Sequence, residues 1–136
     1  MTRALLPPTA DDVYRGSRIA LAAFAVLTVV TLVRSVIHVL APDGGAQAIA
    51  TIPLDAYGPG ASATVVHVFG LWGLSQLLMG LVYVVVLWRY RALVPLMFLL
   101  MALEYAGRLA LAFSKPIETV GTAPGAVGTW VMVPVA

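Results

Sequence analysis

Long apolar runs separated by short polar breaks set the pattern of this chain. Ile19–Leu40, Thr64–Leu87 and Ala92–Phe113 each run for more than 20 residues. Runs of about 20 apolar residues match the hydrocarbon thickness of a bilayer, so each predicts a spanning helix. Val120–Ala136 reads as a weaker fourth span, because its 17 residues include three glycines and two prolines. The expected fold is an all-α integral membrane four-helix bundle, a single domain over residues 1–136 with helices near 19–40, 64–87, 92–113 and 120–136. A cleaved leader is the competing reading of the first run, since arginines precede it and Ala46-Gln47-Ala48 resembles a cleavage site. That run is longer than the usual leader core of about 7–15 residues.

The breaks carry the turn chemistry. Residues 1–18 are polar and contain Pro7-Pro8, which interrupts helix; a short surface turn and a partly ordered tail are both consistent with them. The 41–63 loop holds Pro42, Gly44, Gly45, Pro53, Gly58, Pro59 and Gly60, which predicts several turns. Within it, Ala46–Ile52 is apolar enough for a short interfacial helix. The loop reads as a connector with such a segment, or as a lid. Trp88-Arg89-Tyr90-Arg91 forms an interfacial anchor. Arg3, Arg15, Arg18, Arg89 and Arg91 lie at one set of helix ends, against Lys115 at the other. The positive-inside rule then puts both termini in the cytoplasm and the long first loop outside. A multi-pass protein of the bacterial inner (plasma) membrane is expected.

Composition agrees with this class. The chain is 61% hydrophobic and 10% charged, with mean hydropathy +0.97, whereas soluble domains carry about a quarter charged residues. A net charge of +2 is too small and scattered for a nucleic-acid surface. There is no cysteine, so disulfides, thiolate ligands and thiol nucleophiles are excluded. No phosphate-binding glycine motif, Ser-His-Asp arrangement or paired-carboxylate arrangement is present.

Candidate chemistry sits in the spans. Thr28, Thr31, Arg34, Ser35 and His38 form a stripe on the first helix. Met97, Met101, Glu104, Arg108 and Lys115 form another on the third, where Glu104 and Arg108, four residues apart, lie on one face and can pair. On the second helix Gly73, Gln76 and Gly80 share a face that permits close approach, while His67 and Gly70 lie on another side; Gly70, Gly73 and Gly80 are the expected helix-packing glycines. Counting about 1.5 Å per residue from each helix centre puts Glu104 roughly 2 Å and Arg34 roughly 6 Å to the outer side of the midplane. Arg108, His38 and His67 lie further out. This pattern predicts an outer-half polar pocket formed by Arg34, His38, His67, Gln76, Glu104 and Arg108, with Arg34 and Glu104 as neighbours. Intramembrane ionisable groups are functional by default, although a buried ion network that only fixes helix register is the competing explanation.

Two functional classes follow. One is an accessory or assembly subunit of a membrane complex, whose pocket takes a lipid-like, quinone or isoprenoid ligand. The excess of arginine over carboxylate suits a polar or anionic head, and Met97 and Met101 offer an adaptable apolar wall. Membrane lipids and either a second copy or other membrane subunits are the expected partners, with no nucleic acid. The other is a small membrane enzyme, with Glu104 as a general base, or a b-type haem protein using His38 and His67 as axial ligands. Neither histidine belongs to a metal-ligand spacing motif, and no catalytic residue or metal site is assigned. Ala136 follows the last run without a charged flank, so a few further residues are expected beyond it.

The segment EYAGRLALAFSKPIETVGTAPGAVG, Glu104–Gly128, resembles the second half of small bacterial four-helix membrane proteins in the DUF4345 or DoxX-like group. Glu104, Gly107-Arg108-Leu109, the following proline-bearing turn and the last glycine- and proline-bearing run carry the likeness, with Arg34 late in the first helix. The resemblance implies a four-helix membrane bundle and supplies no activity. The LDAYGPGAS stretch, Leu54–Ser62, is not part of that pattern.

Overall fold

A computed structural model describes Leu5, residues 7–125 and residues 127–128. Three helices account for most of it: α1 (Arg18–Leu40), α2 (Pro59–Arg89) and α3 (Val94–Ser114). All three are long and apolar enough to cross a membrane. The fourth expected span, 120–136, falls mainly outside the described residues.

Local sequence explains the helix boundaries. The Ser17 hydroxyl caps α1 by accepting from the Ile19 amide at 3.2 Å. Pro59 stands at the first turn of α2, where its missing N–H costs nothing. Consequently α2 begins five residues before the expected Thr64, and the loop shortens to 41–58. A short 3-10 turn, Arg91–Leu93, follows the end of α2 and leads into α3. The N-terminal segment packs under this turn, where the Asp11 carbonyl accepts from the Ala92 amide at 3.2 Å.

Two apolar clusters hold the fold. At the arginine-bearing end, Phe24 of α1, Tyr83 and Val86 of α2, and Val94, Met97 and Met101 of α3 are buried together. Phe24 meets Tyr83 edge-on at 5.4 Å and Phe98 in a tilted contact at 5.6 Å between ring centres. The second cluster is the loop's own core: Ala46, Ile52 and Leu54 against Tyr57, Val65, Val66 and Phe69. Between them α1 and α2 approach closely at two glycines. A Cβ on Gly73 would lie 2.6 Å from the Cβ of His38, and one on Gly80 would lie 2.8 Å from Leu32 Cδ2. Outside these contacts the helices present Val26, Val29, Val33, Leu71, Leu74, Leu78, Leu103 and Leu111 to the surroundings.

The loop after α1 is ordered by one carboxylate. Asp43 accepts from the amides of Gly45, Ala48 and Gln47 at 2.8, 2.7 and 3.1 Å. Residues 42–50 are therefore successive hydrogen-bonded turns, not the expected interfacial helix. Gly44 and Gly45 have φ of +60° and +72°, a region open to glycine. The amide of Ala48 first, then those of Gly45 and Gln47, hold the Asp43 carboxyl below the usual carboxylate range against the opposing effect of burial. A depressed carboxyl stabilises the fold above its unfolded value, and that contribution disappears as pH falls through the folded value. Exchange protection of the Gly45, Gln47 and Ala48 amides is thus expected to persist at neutral pH and to be lost on acidification below the usual carboxylate range. Asp43→Ala is expected to expose the same amides at neutral pH.

A second tie joins this loop to the segment after α3. Thr51, at φ +58°, accepts from the Val120 amide through its carbonyl at 2.9 Å. Its hydroxyl donates to the Gly121 carbonyl at 2.9 Å. A β-branched residue in the left-handed region is strained, so these bonds hold Thr51 in a conformation it would otherwise leave.

Candidate functional site

Four of the six residues expected in the polar site converge beyond the Phe24 cluster. Gln76 of α2 donates through Nε2 to Glu104 Oε1 at 3.2 Å. One turn along α3, Arg108 donates to the same oxygen through Nε at 3.1 Å and through Nη2. Arg34 of α1 faces Tyr105, Glu104 and Arg108 from across the bundle. The expected Arg34–Glu104 ion pair does not form. Arg108 shares a helix with Glu104 at the i,i+4 spacing that favours pairing and takes the carboxylate first. The Arg34 Nε is buried without a hydrogen-bond partner.

Trp72, which sequence reasoning passed over as one more apolar residue, stands among the cations. The guanidinium carbon of Arg108 lies 4.9 Å from its ring centre and that of Arg34 5.7 Å. Arg108 also lies 5.4 Å from the Tyr105 ring. Cations over an indole face are attracted by its quadrupole, most strongly when shielded from water. The one available signal was spacing, since Trp72 precedes Gln76 by four residues and so shares its face.

The histidines separate. His38 is 3% exposed, and its Nδ1 donates to the Gly44 carbonyl at 2.7 Å. Its ring packs on Trp72 at 4.7 Å and Phe69 at 5.7 Å, and Gly45 leaves room for it. His67 is exposed on α2 and takes no part in the Gln76–Glu104–Arg108 network. Both border a shallow groove of about 330 Å³ with Gly70, Leu71 and Leu74. Axial haem ligation needs both imidazoles open to the same slot, and the packing of His38 against two aromatic rings does not fit it. His38 instead ties the loop to the Trp72 face. Among the described residues no group of three metal-ligating side chains occurs.

A small, partly open cavity of about 20 Å³ lies within the cluster, bordered by Thr31, Arg34, Gln76, Tyr83, Glu104 and Tyr105, with Leu27, Met79 and Met101. Ligand pockets usually measure about 300–1,000 Å³, so this cavity is too small to be the expected head-group pocket. The cluster instead opens sideways along α3. The Glu104 side chain is 42% exposed and that of Arg108 20%, and a Cβ on Gly107 would meet open space. Met101 walls the cavity, while Met97 belongs to the apolar cluster. Of the packing glycines, Gly73 and Gly80 sit at the α1–α2 contact and Gly70 at its margin, 3.9 Å from the His38 carbonyl.

No family model, curated protein or solved structure matches the chain.

Proposed function

We propose that this is a small accessory or assembly subunit of the bacterial inner membrane, which holds the anionic or strongly polar head of an amphiphile against the open side of the Arg34–Trp72–Arg108 cluster. One observation carries the reading: two guanidiniums flank Trp72, and Glu104, their carboxylate neighbour, is already bonded by Arg108 and Gln76. The cluster thus keeps a positive charge among helices apolar enough to lie in lipid. An uncompensated charge in hydrocarbon is costly, and an anion arriving from the side would compensate it. The exposed valines and leucines of α1 and α3 would line its tail. The arginine-bearing helix ends face the cytoplasm, which sets the cluster in the outer half of the bilayer. The likeness to DUF4345 or DoxX-like proteins suits this setting and a fourth helix.

Trp72 supplies the test. In a protein with Trp88 and Trp130 replaced by phenylalanine, adding phosphatidylglycerol to phosphatidylcholine nanodiscs is expected to shift Trp72 emission saturably. Arg34→Leu is expected to weaken that response at least tenfold. Equal responses to both lipids would overturn the head-group reading.

A further inference from the structure

The geometry points to a built site for one water molecule, set between Arg34 Nε and Gln76 Oε1 and joining all three helices through a single hydrogen-bond chain. The orientation of Gln76 is fixed by its partner. A carboxylate bonded to arginine accepts hydrogen bonds, so the Gln76 atom at 3.2 Å from Glu104 is the amide nitrogen. Its carbonyl oxygen must then point the other way. That oxygen is buried without a partner, in a side chain whose residue is 6% exposed. The Arg34 Nε–H is the second buried polar atom in the same condition.

One is an acceptor short of a donor, and the other a donor short of an acceptor. Both residues border the same cavity of about 20 Å³. A cavity needs about 10–15 Å³ to hold one water, together with two to four polar partners. Water fits this pair because it accepts from Arg34 and donates to Gln76 at once. Thr31 and Tyr105, also on the cavity wall, are within the polar lining it would use. An alkyl group or a second cation would leave at least one of the two atoms unpaired.

The consequence lies in how α3 is held. Its buried residues are Val94, Met97 and Met101, all in its first half. Beyond Met101 the connection to the other helices is polar. With the water in place, the chain runs Arg34–water–Gln76–Glu104–Arg108, from α1 through α2 to α3. This inference shares Arg34 with the head-group proposal but concerns its Nε and the cavity toward Gln76, and its tests leave Arg34 unchanged.

Two measurements test it. A crystal structure from lipidic mesophase, at a resolution that shows ordered solvent, is expected to contain one peak within hydrogen-bond distance of both Arg34 Nε and Gln76 Oε1. Direct contact between the two atoms, or a collapsed cavity, would overturn the site. Independently, Thr31 lines the cavity, and Thr31→Ile adds to its wall a methylene that Thr31→Val does not, while both remove the hydroxyl. Filling a dry cavity raises the melting midpoint, whereas displacing a bound water lowers it. Thr31→Ile is expected to melt several degrees below Thr31→Val. A midpoint equal to or above that of Thr31→Val would contradict the water site.

Discussion

Gly73→Leu is expected to prevent the bundle from assembling. A Cβ at position 73 would meet the His38 Cβ at 2.6 Å, and also the His38 carbonyl carbon at 3.1 Å and the Ser35 oxygen at 3.2 Å. Two of those atoms belong to the α1 backbone and cannot rotate away. Overpacking typically costs about 1–3 kcal/mol, and more where backbone must shift. Even Gly73→Ala should reach that range, and leucine should exceed it. Displacing α1 would also move His38 off Trp72 and release the Gly44 carbonyl, so the loop would loosen with the helix contact. Size-exclusion chromatography and thermal melting in mild detergent would show the loss. Gly107→Ala is the matched control. Its Cβ meets open space, and removing a mid-helix glycine gains about 1 kcal/mol of helix propensity. Equal stability of the two variants would dismiss the close contact at Gly73.

Glu104→Leu has the second largest expected effect. It strips Arg108 of its partner, leaves the Gln76 amide without its acceptor and removes the negative charge facing Arg34. Breaking an ion pair shielded from water costs about 3–5 kcal/mol. The same pair on a water-exposed surface contributes about 0–1 kcal/mol. The size of the loss therefore reports the medium around α3. Combining Glu104→Leu with Arg108→Leu is expected to recover part of the loss, since the unpaired charge goes with its partner. Additive single and double changes would mean that no coupling exists.

The three long helices were legible because an apolar run of bilayer length has few other structural meanings. The start of α2 was not, because Gly58-Pro59-Gly60 is turn punctuation in isolation. Proline at a first helical turn is also favourable, and the packing of Val65, Val66 and Phe69 onto the loop core settles the choice. Residue types and spacing gave the convergence of Arg34, Gln76, Glu104 and Arg108. The i,i+4 spacing also allowed the Glu104–Arg108 pair that forms, whereas the depth argument that set Arg34 beside Glu104 says nothing of which cation reaches the carboxylate first. His38 and His67 match in depth but differ in azimuth, and the azimuth put one in the interior and the other on the surface. Order in the 41–58 loop depends on Asp43 accepting from three backbone amides, which a count of glycines and prolines does not encode. Its link to Val120 and Gly121 depends on tertiary contact alone.

The central claim is that the cluster around Trp72 holds an anionic amphiphile. Native mass spectrometry of protein released gently from its own membrane tests this most directly. The wild type is expected to carry one class of anionic or strongly polar amphiphile, and Arg34→Leu, folded by its melting curve, is expected to lose it. A wild-type protein that flies without any bound amphiphile, or an Arg34→Leu protein that keeps it at full occupancy, would contradict the account.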